Sequence, residues 1–172
     1  CASIGGKDSM SGTFENIDVP PTLVSFAVST ASAKKVISPE FKKSGNKVYL
    51  VSAELDENSL PKTDSLLSVF DKITKLMRNG KVVSAYTPTL GGIAEAIMKM
   101  CFGNGYGFDF ADGLDIQKVF GYSYGSFVIE TTEDIEGAIL LGIVTNKSYI
   151  SFANEKVELS VLSKTYEDKL ES

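Results

Sequence analysis

Thr89-Leu90-Gly91-Gly92-Ile93-Ala94-Glu95-Ala96-Ile97-Met98-Lys99-Met100-Cys101-Phe102-Gly103 reads as a turn opening into a helix. Ile93, Ile97, Met100 and Cys101 recur at helical spacing, so one face is buried. Glu95 and Lys99 lie one turn apart on another face. Thr89 stands where its hydroxyl can cap the helix. A helix that begins on two glycines leaves backbone N–H groups free, and these favour an anion. The alternative is a tight turn needed only for close packing of strand against helix.

Upstream, residues 82–86 form a strand leading straight into this helix. Residues 63–78 form another helix, with Leu66, Phe70, Ile73 and Met77 on one face. Thr63 or Asp64 is its expected cap, and Asn79-Gly80 its end. Residues 46–53 read as a strand, and 54–61 as an acidic loop. Residues 34–44 read as a connection with a short turn at Ser38-Pro39-Glu40-Phe41. Residues 22–30 alternate with both faces apolar, which predicts a central strand. Downstream, Asn104-Gly105-Tyr106-Gly107 is a turn, 108–110 a short strand and 114–120 a short helix. Residues 124–130, 138–145, 149–153 and 157–161 read as strands, with Asn146-Lys147 and Asn154-Glu155 as hairpin turns. A last helix spans 163–170 and buries Leu162, Tyr166 and Leu170. Strands outnumber helices and mostly adjoin, so the fold class is α+β: a mixed, mostly antiparallel sheet with helices packed on it.

The 172 residues suit one ordinary domain, and 43% hydrophobic content is enough for a sizeable core. A net charge of −5 and a pI near 4.8 leave no broad electrostatic footprint for nucleic acid. No apolar run is long enough to span a bilayer, and no signal peptide is visible. Cys1 and Cys101 have no framework or zinc spacing, so a reduced, cytoplasmic protein is expected. With no histidine, Ser-His-Asp and Cys-His catalysis within this chain is excluded. General acid–base work is left to Asp, Glu, Lys or Tyr.

The chain opens Cys1-Ala2-Ser3-Ile4-Gly5-Gly6-Lys7-Asp8-Ser9-Met10-Ser11-Gly12, without a start methionine, which reads as a processed chain or a fragment. Gly5-Gly6-Lys7-Asp8-Ser9 offers flexible backbone, a cation, a carboxylate and a hydroxyl. That is phosphate-site chemistry, although the glycine–lysine spacing is not that of a Walker A loop. The other reading is a solvated tail. Asp18-Val19-Pro20-Pro21 closes the segment, since two prolines bar helix and sheet pairing. Cys101 sits on the buried helix face and reads as core. Tyr106, Tyr122 and Tyr124 stand among glycines, as rim packing or as ligand flanks. Asp109 and Asp112 near Gly113 lack calcium-loop spacing.

Gly6-Lys7-Asp8-Ser9-Met10-Ser11, followed by Val19-Pro20-Pro21-Thr22-Leu23-Val24-Ser25-Phe26-Ala27, resembles the large, single-chain phosphoribosylformylglycinamidine synthases. Val83-Ser84-Ala85-Tyr86, Gly91-Gly92-Ile93-Ala94-Glu95-Ala96 and Met100-Cys101-Phe102-Gly103 resemble that family's strand–Gly-Gly–helix block. Tyr124-Gly125-Ser126-Phe127-Val128-Ile129 and Leu141-Gly142-Ile143-Val144 resemble its later strands. The match covers nearly the whole chain. It implies that residues 1–20 are the tail of a preceding ATP-handling domain. Residues 21–172 would be the second domain of the aminoimidazole ribonucleotide synthetase C-terminal type, ahead of a glutaminase domain.

The resemblance also implies the parent's activity in purine synthesis. Formylglycinamide ribonucleotide, ATP and glutamine-derived ammonia give the amidine, by phosphoryl activation of an amide oxygen and its displacement by ammonia. Mg²⁺ is the implied cofactor beside ATP or ADP. The implied nucleotide or phosphate contacts are Thr89, Gly91, Gly92, Gly6, Lys7, Asp8 and Ser9. No catalytic or metal-binding residue is assigned. Where the family has His-Asp-x-Ser-Asp, this chain has Tyr86-Thr87-Pro88-Thr89-Leu90. Thr87 and Leu90 thus replace two aspartates, one of them an Mg²⁺ ligand in the family, and a hydroxyl is a poorer ligand for Mg²⁺. A family helix between the strands near Glu130 and Ala138 is cut to a turn over residues 131–137.

Three functional classes follow: a synthase fragment silent on its own, a scaffold domain that has lost its nucleotide, or an N-terminal nucleophile glutamine hydrolase using Cys1. The first is the expectation.

Overall fold

The computed structural model describes residues 2–8 and 12–169. The chain divides into two compact units, Cys1–Val36 and Ile37–Ser172. In the first unit, β1 (Ser3–Asp8) pairs antiparallel with β4 (Leu23–Ala27), while β2 (Gly12–Phe14) pairs with β3 (Ile17–Val19). Lys7 stands opposite Val24, and Asp8 opposite Leu23. Every residue of β4 is exposed. The central strand expected at 22–30 is therefore corrected: it lies in a two-stranded ribbon outside the large sheet. Its apolar alternation on both faces gave strand type but not strand neighbours.

The second unit holds β5 (Lys47–Val51), α1 (Thr63–Arg78), β6 (Val82–Tyr86), α2 (Gly92–Phe102) and β7 (Gly107–Phe110). There follow α3 (Ile116–Phe120), β8 (Phe127–Thr131), β9 (Ile139–Thr145), β10 (Tyr149–Phe152), β11 (Glu155–Glu158) and α4 (Leu159–Asp168). The seven strands run in the order β11-β10-β7-β9-β5-β8-β6. All neighbours are antiparallel except β7 and β10. The expected mixed, mostly antiparallel α+β sheet is what forms.

Alternation along β5 assigns the two faces. Val48 and Leu50 join Val128 and the α2 residues Ile93, Ala96, Ile97, Met100 and Cys101 in one core. Tyr49 and Val51 join Ile129 and the α1 residues Val69 and Ile73 in the other. A bulge in β9 slips the register against β5 between Val48 and Tyr49. It lets Leu141 and Val144, three residues apart, both enter the α2-side core.

Several local expectations are corrected. Lys62, not Thr63 or Asp64, is the N-cap of α1, and no side chain caps it. Its C-terminal end forms as read: Lys81 N–H bonds the Leu76 carbonyl at 3.0 Å and Gly80 N–H that of Met77 at 3.0 Å, with Gly80 at φ +70°. Asn146-Lys147 does not make a hairpin, because β7 lies between β9 and β10. A Cβ on Gly107 would meet the Lys147 carbonyl at 2.2 Å, so the crossing loop presses on β7 itself. The second hairpin forms, turning at Ala153-Asn154. The strand expected at 157–161 stops at Glu158, where Leu159 begins α4 and donates its N–H to the Ser148 carbonyl at 2.9 Å. Leu170 lies outside the described residues. Among the described residues, no helix is long and apolar enough to cross a membrane.

Candidate functional site

Thr89, Gly91 and Gly92 come together where β6 gives way to α2. Gly6, Lys7 and Asp8 lie on β1 of the other unit, and Ser9 and Cys1 fall outside the described residues. Gly92 has φ +66°, and a Cβ there would meet the Gly121 carbonyl at 2.4 Å and that of Val119 at 3.0 Å. Glycine is thus required for the turn's shape and for the close approach of the segment after α3.

The amides of Gly91 and Gly92 are used within the chain. Gly92 N–H bonds the Thr89 carbonyl at 3.0 Å. Gly91 is the N-cap of α2, and its N–H bonds Glu95 Oε2 at 3.3 Å. The expected Thr89 hydroxyl cap is corrected: Thr89 Oγ1 donates to the same Glu95 oxygen. Glu95 Oε1 pairs with Lys99 Nζ at 2.6 Å, the one-turn pairing that the sequence spacing implied. Lys99 Nζ also stands 6.0 Å from the Tyr86 ring centre and 5.6 Å from that of Tyr166. Lys99 and then Thr89 hold the Glu95 carboxyl below its ordinary range against a smaller effect of burial. Glu95 in turn pushes the Lys99 ammonium up. The sequence reading missed the role of Glu95. Its signal was a first-turn carboxylate reaching back to the cap, as in a capping box set one residue later.

A cavity of about 500 Å³ opens beside Gly91 and Glu95. Met98 of α2, Phe110 of β7, Phe120 of α3, Phe152 of β10 and Leu162 of α4 are among its mostly apolar walls.

Mg²⁺, which the resemblance implies, does not fit the donors of this turn. Thr87 and Leu90 carry no carboxylate. Glu95 is held by Lys99, Thr89 and Gly91. No group of three His, Cys, Asp or Glu among the described residues is placed to hold a metal.

Cys101 is fully buried, and burial pushes its thiol pKa up, so it packs rather than reacts. Tyr122 and Tyr124 are exposed and stacked, with ring centres 5.7 Å apart. Tyr106 packs against the α2-side core. Asp109 accepts from Ser151 Oγ at 2.5 Å and Lys147 Nζ at 2.9 Å.

A polar hub escaped the sequence reading altogether. Glu130 of β8 is fully buried. Its carboxylate accepts from Lys42 N–H at 2.8 Å, Lys43 N–H at 3.1 Å, Asn46 Nδ2 at 2.7 Å and Ser84 Oγ at 2.8 Å. It ties the 42–46 segment to β6, the strand that delivers the Gly-Gly turn. Nearby, Phe41 N–H bonds the Met100 carbonyl at 2.9 Å, so the same segment also grips α2.

No family model matches the sequence. Solved structures match the fold. T. maritima PurL complexed with ATP aligns with a TM-score of 0.59 at 9% identity, covering 83% of this chain and 28% of that one. Thermotoga maritima phosphoribosylformylglycinamidine synthase II aligns with a TM-score of 0.59 at 10% identity, over 83% and 29%. This chain has the aminoimidazole ribonucleotide synthetase-like fold. E. coli HypE, a hydrogenase maturation protein, aligns with a TM-score of 0.50 at 14% identity, over 79% and 54%. The resemblance read from the Lys-Asp-Ser and Gly-Gly motifs thus has its counterpart in the fold. The synthetase-like fold of this chain spans less than a third of the length of the PurL chains it matches.

Proposed function

We propose that this chain is a module of a phosphoribosylformylglycinamidine synthase acting in purine synthesis. The supporting observation is the fold shared with PurL over 83% of the chain, carrying the Gly-Gly motif at the start of a buried helix. In the parent's reaction, the glycinamide carbonyl oxygen of formylglycinamide ribonucleotide attacks the terminal phosphorus of ATP and ADP leaves. Ammonia then adds to the activated carbon and expels phosphate, leaving the amidine. ATP or ADP with Mg²⁺ is the parent's cofactor set, and a glutaminase domain is the ammonia source. The cytoplasm is the proposed compartment.

In this reading, residues 1–20 end an ATP-handling domain and 21–172 form the C-terminal-type domain. β4 remains hydrogen-bonded to β1 across that boundary. The phosphate contacts this reading proposes are Gly6, Lys7, Asp8 and Ser9 in the first segment and, separately, Thr89, Gly91 and Gly92 in the second; the alternative scaffold reading gives the turn at Thr89–Gly92 no phosphate. The isolated module turns nothing over, because the site is built from several domains. The test is amidine formation from formylglycinamide ribonucleotide, ATP and ammonium chloride. The full parent protein is expected to be active and this chain alone silent. An inactive parent, or turnover by this chain alone, defeats the reading.

A second reading is a scaffold module within the same synthase that has lost its nucleotide. Thr87 and Leu90 in place of carboxylates favour it, as does Glu95 on the Gly91 amide. Calorimetry with ADP and Mg²⁺ separates the two: clear magnesium-dependent binding to this chain removes the scaffold reading.

A further inference from the structure

We infer that the Gly91–Gly92 turn is self-liganded: the Glu95 carboxylate takes the Gly91 amide and the Thr89 hydroxyl, where a phosphate would sit, and the turn takes no nucleotide phosphate. The inference rests on the scaffold reading and gives it a cause. A helix N-terminus attracts anions because its first amides lack partners. Here the Gly91 amide is given to Glu95 and the Gly92 amide to the Thr89 carbonyl. The Thr89 hydroxyl, the other donor that a phosphate oxygen would use, also points at Glu95.

The carboxylate is locked from both sides. Oε2 faces the turn, and Oε1 is held by Lys99 at 2.6 Å. A Cβ on Gly91 would meet Glu95 Cβ at 2.5 Å, so the stem of the side chain lies directly over the turn. The glycine at 91 makes room for this resident side chain. A phosphate entering here would have to break the Lys99 pair or bring two negative charges together. No carboxylate at Thr87 or Leu90 could recruit a metal to offset that repulsion.

The test is an amide NMR titration of the whole chain, first with inorganic phosphate and then with ADP and Mg²⁺. Gly91 and Gly92 are expected to stay unmoved by either. In Glu95→Ala the Gly91 amide should exchange with solvent about tenfold faster, as expected for the loss of one charge-assisted hydrogen bond. Ligand-dependent shifts at Gly91 or Gly92 in the wild type would overturn the inference, as would unchanged exchange in the variant. If Glu95→Ala does not fold, the wild-type titration decides alone. Shifts confined to residues 5–8 would leave the inference standing while counting against the scaffold reading.

Discussion

The β4 ribbon and the β5 strand are both rich in apolar residues, Leu-Val-Ser-Phe-Ala and Lys-Val-Tyr-Leu-Val, and have opposite fates. All five β4 residues are exposed; in β5, four of the five are buried. β5 lies between β9 and β8 with a helix on each face, whereas among the described residues β4 pairs with β1 alone. A two-stranded ribbon has little surface to bury and is marginal by itself. Apolar alternation therefore specifies that a segment is a strand, while the neighbours that cover it are specified elsewhere in the chain.

The strongest way to break this contrast is to open the second unit's core. Phe108 is fully buried, stacked on Phe41 at 5.6 Å between ring centres and edge-on to Phe110 at 4.9 Å. Phe108→Ala removes packing that the rigid sheet cannot refill, at a cost of about 3–5 kcal/mol. Urea unfolding followed by circular dichroism reads this as a lower midpoint at unchanged slope. A loss under about 1 kcal/mol would mean that the α2-side core is loosely packed.

Next in size is the hub at Glu130. Glu130→Ala leaves two backbone amides, an Asn side chain and a Ser hydroxyl without their acceptor. The expected loss is about 3 kcal/mol, as for a buried network broken on one side. Lys42 and Lys43 amides should lose hydrogen-exchange protection first. Full protection at both would show that they do not depend on this carboxylate.

A smaller effect is the response to acid, which also belongs to the second unit. Glu40 is held at about 2, below its ordinary 4.5, by the Lys42 amine and then the Ser38 hydroxyl. Lys47 and then Tyr49 lower Asp134 likewise. A carboxyl with a lower pKa folded than unfolded contributes stability above the unfolded value. That contribution is lost as pH falls from about 4.5 toward 2. Melting temperature should therefore drop through that window, and Glu40→Gln should flatten the drop. A wild-type curve that is level there would contradict the assignment.

These effects also mark how far the sequence could be read. The α2 face was legible because Ile93, Ile97, Met100 and Cys101 repeat with the helix, and all four are buried. The end of α1 was legible because Asn-Gly has one strong use there. The order of strands was not, since β7 inserts between β9 and β10 through pairings no local pattern records. Glu130 was hidden for the same reason: its partners lie 46 to 88 residues away in sequence. At the Gly-Gly turn the motif was visible, but the partner of the Gly91 amide was a glutamate that local spacing had placed only with Lys99.

The smallest expected effect sharpens the contrast most. Phe26 in β4 is 50% exposed, as large an aromatic as Phe108 but without a packed wall on its open side. Phe26→Ala in this chain should change stability by no more than about 0.5 kcal/mol, as at ordinary surface positions. Leu23, at 79% exposure, should behave alike. Both are read by the same urea series as Phe108→Ala. A loss above about 2 kcal/mol at Phe26 would require a covered face, since only removal from water and packing give an aromatic that weight. The two strands would then differ in what covers them and not in whether they are covered, and the ribbon's apolar alternation would carry the same meaning as that of β5.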